Sequence, residues 1–90
     1  MITNKKKYKY SEKISYTTIL NQVYIFNEET KKYLFFEDVG ALIWNLLPNT
    51  ELDIINTKLS ELYKQPVDLI AQDVSDFIIQ LISQGVIKEI

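Results

Sequence analysis

A small α+β domain, with a three-stranded antiparallel sheet at its N-terminal end followed by three helices, is what three features of this 90-residue chain predict. β-branched and aromatic residues crowd the stretch from Ile14 to Phe36, as strands require. After Asp38 the apolar residues recur at the three- and four-residue steps of helices. Pro48, Pro66 and Gly85 then divide that second half into three, because proline and glycine are the strongest local breakers of helices.

The strands come first. Ile14 to Ile19 reads as one strand, and residues 22 to 27 with 32 to 36 read as a hairpin, its arms parted by the charged, turn-forming stretch Asn27-Glu28-Glu29-Thr30-Lys31-Lys32. The short, almost wholly apolar run from Ala41 to Leu47 predicts a first helix central to the core, with Asp38 as N-cap, Pro48 as its stop and Trp44 in the core. Thr50 is the expected N-cap of the second helix, and Asp53 imitates a capping-box partner. Leu52, Ile55, Leu59 and Leu62 mark its buried face.

The third helix is expected from about Asp68 to Gln84, ended by Gly85. At 100° per residue its apolar positions, Phe77, Ile70, Leu81, Val74, Ile78, Ala71 and Ile82, cover about 140°, wider than the stripe of about 100° that seats a helix on a core. Part of that arc is free to face something else, and Asp73, Gln80 and Gln84 lie along one margin of it. Residues 1–13, lysine-rich with Tyr8 and Tyr10 as their large anchors, are expected to be a flexible arm ahead of a domain spanning 14–90. Val86 to Ile90 is expected to close the domain as a short extended tail.

Composition narrows the function. Histidine and cysteine are absent, which removes disulfides, thiolate nucleophiles, the usual zinc ligands and the side chain suited to proton transfer near neutral pH. Neither catalysis nor a cofactor is expected, and Glu28-Glu29 and Glu37-Asp38 sit in turn-like connections without an evident basic or metal partner. The formal charge is −2 and all ten basic residues are lysines; the arginine that most often reads guanine edges is missing. No apolar run approaches a membrane span, and Lys5 to Lys7 lead into Tyr8-Lys9-Tyr10-Ser11-Glu12 rather than an apolar segment, so no signal peptide is read. The expected location is cytoplasmic, with neither nucleic acid nor membrane as partner.

The three strands and three helices together give a winged helix-turn-helix-like order. Within it, Gly40-Ala41-Leu42-Ile43-Trp44-Asn45-Leu46-Leu47 resembles the small-residue, isoleucine-tryptophan, leucine-leucine helix of the PqqD-like family. The stretch Asp73-Val74-Ser75-Asp76-Phe77-Ile78-Ile79-Gln80-Leu81-Ile82-Ser83-Gln84-Gly85-Val86 is similar to that family's last helix. The likeness covers roughly residues 14–90. Phe36-Glu37 and Pro48-Asn49 depart from the pattern, both in connections.

The resemblance implies a recognition element for ribosomally synthesised, post-translationally modified peptides (RiPPs). Such a domain is not an enzyme. It binds the leader segment of a precursor peptide and delivers it to a maturation enzyme, for example a radical SAM enzyme or a leader peptidase. An exposed sheet edge suits this role, because an extended peptide can pair with its free N–H and C=O groups. The resemblance implies a groove between the third strand and third helix, with Tyr33, Leu34, Phe35 and Phe36 on one wall and Asp73, Val74, Phe77, Ile78 and Leu81 on the other. Phe77 would be the main apolar platform and Asp73 a hydrogen-bonding or ion-pairing group. Core packing is the competing role for Val74, Phe77 and Leu81, and a solvated helix-face carboxylate is the competing role for Asp73.

The rival function is a winged helix-turn-helix DNA-binding regulator. Residues 68–84 contain Asp68, Asp73 and Asp76 and no lysine, so phosphate repulsion opposes it. A homodimer through the same sheet edge is compatible with peptide binding, since a leader can compete for that edge.

Overall fold

Alternation in the first half of the chain gives a sheet with two unlike faces. In the structure, a computed structural model that describes residues 5–90, strands β2 (Ile14–Ile19), β3 (Gln22–Asn27) and β4 (Lys32–Glu37) follow β1 (Tyr8–Tyr10). The antiparallel order β2-β3-β4 leaves β3 central and β2 and β4 at the edges. Val23, Ile25 and Asn27 are buried on the inner face, while Tyr24, Tyr33 and Phe35 are exposed on the outer one. The side-chain period of two sets this division.

Helices α1 (Val39–Leu46), α2 (Leu52–Tyr63) and α3 (Val67–Ser83) follow, with β5 (Ile87–Glu89) as the last element; α1 packs on β3 and β4, and α2 on α3. The core joins Val23 and Ile25 of the sheet to Ala41, Ile43 and Trp44 of α1, Leu52, Ile55 and Leu59 of α2, and Val74, Ile78 and Leu81 of α3. Trp44 is completely buried.

The end of α3 follows its sequence signal. Gly85 has φ +74, its N–H donates to Ile82 O at 2.9 Å, and Val86 N–H donates to Leu81 O at 3.2 Å. These are the two bonds of a Schellman motif, and buried Leu81 and Val86 occupy the positions of its accompanying apolar contact. The expected N-caps differ. Asp38 stands at the N-cap position of α1 without a side-chain cap bond; its carboxylate instead accepts from Asn21 Nδ2 at 2.6 Å, while its N–H donates to Asn21 O at 2.9 Å and closes the sheet end. Glu51, rather than Thr50, occupies the N-cap position of α2, and the Thr50 hydroxyl donates to Pro48 O at 3.2 Å.

The expected flexible arm is corrected at its second half. Tyr8–Tyr10 pair antiparallel with Ile87–Glu89, and Tyr8 is buried. Four further backbone bonds fix this stretch: Leu52 N–H to Lys6 O, Ile90 N–H to Lys7 O, Asn49 N–H to Tyr8 O and Ser11 N–H to Val86 O. The Tyr10 ring stacks on Trp44 at 4.1 Å, and its hydroxyl donates to Trp44 O at 2.6 Å. The apolar bodies of two tyrosines, buried against α1 and β5, hold residues 8–10 in place despite the lysines around them. Residues 1–4 of the expected arm lie outside the described residues.

Candidate peptide-binding groove

The β4 edge is defined by its hydrogen-bond phase. Asp38 N–H donates to Asn21 O, in the same register that pairs Val23 with Phe36, Ile25 with Leu34 and Asn27 with Lys32. Bonded and non-bonded pairs alternate along an antiparallel ladder. The N–H and C=O groups of Leu34 and Phe36 are therefore turned toward β3, and those of Tyr33, Phe35 and Glu37 toward the open edge. No strand of the described residues pairs with that edge.

The side chains divide differently from the backbone. Leu34 and Phe36 lie on the inner face, partly buried against the core. Phe36 meets Phe77 of α3 edge to face, with ring centroids 4.9 Å apart. Gly40, in the first turn of α1, permits this meeting: a Cβ there would stand 3.3 Å from Phe36 Cβ and 3.6 Å from Phe77 Cζ. At the hairpin end, Asn27 makes a second tie between sheet and α3. Its Nδ2 donates to Gln84 O at 2.9 Å, and its Oδ1 accepts from the N–H groups of Glu29 and Thr30 at 2.9 and 3.2 Å. One buried amide thus shapes the β3–β4 turn and fixes it to the end of α3.

Several expected site residues fall elsewhere. Tyr33 and Phe35 point away from α3 onto the outer sheet face, because they alternate with Leu34 and Phe36. Val74, Ile78 and Leu81 are each no more than 3% exposed; they support the helix wall from behind and present no surface to a ligand. Phe77 is half-buried and Asp73 exposed. The groove-side surface is thus the Phe36–Phe77 pair and Leu34, with Asp73 on the exposed side of α3. Gly40 and Asn27 are added to the expected set. The small residue opening the first-helix motif was the signal for Gly40, while Asn27 read only as a turn residue.

Among the described residues no group of three or more histidines, cysteines or carboxylates comes together to hold a metal ion, and no helix is long and apolar enough to cross a membrane. What the geometry offers is main-chain hydrogen bonding on one side and aromatic surface on the other.

A small α+β domain of winged-helix type, with one sheet edge open beside its last helix, is the class that fold and groove define. Residues 22–87 match the family model described as coenzyme PQQ synthesis protein D (PqqD), and the chain belongs to that family. The solved structure titled "TbiB1 in Complex with the TbiA(beta) Leader Peptide" has the same fold, with a TM-score of 0.84 and 22% identity over 89% of this chain and 94% of that one. No curated protein matches the chain significantly in sequence.

Proposed function

We propose that this chain is a non-catalytic recognition element that binds the leader segment of a RiPP precursor and delivers it to a maturation enzyme, a radical SAM enzyme or a leader peptidase. The leader adds as a strand to β4, using the outward N–H and C=O groups of Tyr33, Phe35 and Glu37. Its inward side chains meet Leu34, Phe36 and Phe77, and Asp73 receives a polar or basic leader residue from the helix side. The observation that carries this reading is the free β4 edge beside the Phe36–Phe77 pair: main-chain pairing aligns a peptide, and pockets for alternate side chains select it. Family membership and the likeness to a chain solved with a leader peptide support it. DNA binding is disfavoured by the same helix, where Asp73 is exposed and no basic residue offsets it.

The test is a titration of isotope-labelled protein with the leader half of the precursor peptide encoded beside its gene, followed through backbone amide shifts. Shifts should concentrate at residues 32–37 and 70–80. Phe77→Ala should weaken binding by about tenfold or more, as loss of a central aromatic anchor does, and adding Tyr33→Pro should abolish it by removing an edge donor. Undiminished binding by the folded double variant would move the ligand off this groove.

A further inference from the structure

The outer face of the β2-β3-β4 sheet is built in two cross-strand rows. One runs Thr17, Tyr24, Phe35 and the other Ser15, Phe26, Tyr33. Each begins in a hydroxyl side chain at the β2 edge and becomes aromatic toward β4. The rings already meet across the strands, Tyr24 with Phe35 at 4.9 Å and Phe26 with Tyr33 at 4.7 Å. Yet Phe35 remains 46% exposed and Tyr33 77% exposed. Both rows end, uncompleted, at the edge with which no strand of the described residues pairs.

A strand added to β4 would extend each row by one residue, because directly opposed side chains share a face. We propose that the outer face is a second subsite for the same peptide. Two apolar or aromatic peptide side chains, at i and i+2, lie against Phe35 and Tyr33, while the residues opposite Leu34 and Phe36 enter on the α3 side. The ligand is then an extended peptide with an unbroken run of four apolar residues. A peptide alternating apolar with polar residues would satisfy only the inner side. This inference rests on the strand-addition reading above, and the continuity of the two rows with the open β4 edge selects the peptide as occupant.

Intermolecular NOEs between labelled protein and the synthetic leader half of the precursor encoded beside the gene test it directly. The expected pattern joins two peptide side chains to the Tyr33 and Phe35 rings and their sequence neighbours to Phe36 and Phe77. A Tyr33→Thr/Phe35→Thr variant keeps β-branched strand formers on an exposed face, and should bind the native leader roughly tenfold more weakly, about threefold per row. It should bind a leader carrying serine at the two outward positions as well as the unaltered protein does. Equal losses for both peptides, or NOEs confined to Phe36 and Phe77, would overturn the second subsite while leaving strand addition standing. NOEs joining Tyr33 and Phe35 of two protein copies would assign the face to a dimer instead. Failure of the unaltered protein to bind the leader would remove both readings together.

Discussion

Gly40 shows how one missing side chain shapes a surface. In a helix, replacing glycine by alanine ordinarily stabilises by roughly 0.5–1 kcal/mol. Here the added methyl stands 3.3 Å from Phe36 Cβ and 3.6 Å from Phe77 Cζ, tight enough to press on Phe36 and disturb its edge-to-face pairing with Phe77. The helix gain and the crowding oppose each other. Gly40→Ala should therefore change stability by less than about 1 kcal/mol yet weaken leader binding severalfold. Urea midpoints and the amide titration measure the two effects separately. A stable Gly40→Ala protein with full affinity would show that the Phe36–Phe77 geometry is not what the peptide reads.

At the scale of elements, the hairpin and helices were legible because their signals are local: alternation along residues 22–36, apolar steps of three and four in α2, and a glycine at the left-handed end of α3. Strand β1 was not, since Tyr-Lys-Tyr among lysines becomes a strand only by pairing with β5 at the far end of the chain. The candidate wall on α3 was half legible for a related reason. Spacing revealed an arc too wide for one core, but only packing separates buried Val74, Ile78 and Leu81 from Phe77 at its margin. The docking of β1 has a pH signature. Burial, with a smaller contribution from Tyr16, raises the Tyr10 pKa well above the ordinary 10.0, and burial followed by the charge of Glu89 raises that of Tyr8. Folding therefore favours the neutral phenols. Their contribution is complete below pH 10.0 and is lost as pH climbs from there through the folded-state values. Tyr10→Phe should cost about 1 kcal/mol at neutral pH, through the lost bond to Trp44 O, and should also shallow the alkaline fall in stability. Urea melts across this range check both effects, and an unchanged alkaline slope would remove Tyr10 from that explanation.

At the scale of the whole molecule, both edges of the three-stranded sheet are open among the described residues, and the fold makes them unlike. The β2 edge carries the hydroxyl side chains of Ser15, Thr17 and Thr18, of which Ser15 donates to Glu28 Oε1 at 3.5 Å and Thr18 to Asn45 Oδ1 at 3.4 Å, and Tyr16 is drawn against Tyr10 and Trp44. The β4 edge carries Tyr33 and Phe35 outside, Leu34 and Phe36 inside, and Phe77 of α3 alongside. Apolar surface beside unpaired backbone favours strand addition at β4 over β2. Hydrogen-bond phase gives a matched comparison. Glu28 N–H donates to Lys13 O, in the register that pairs Ser15 with Phe26 and Thr17 with Tyr24, so the groups turned out of the β2 edge are those of Ile14, Tyr16 and Thr18. Thr18→Pro and Tyr33→Pro each remove one outward donor while sparing the ladder to β3, the setting in which edge strands tolerate proline. With both variants shown to be folded by amide dispersion, Thr18→Pro should bind the leader with unchanged affinity and Tyr33→Pro should lose most of it. The reverse result would move the peptide to the β2 edge, beside Tyr16 and Tyr10, and leave the aromatic rows of the outer face without a role in its recognition.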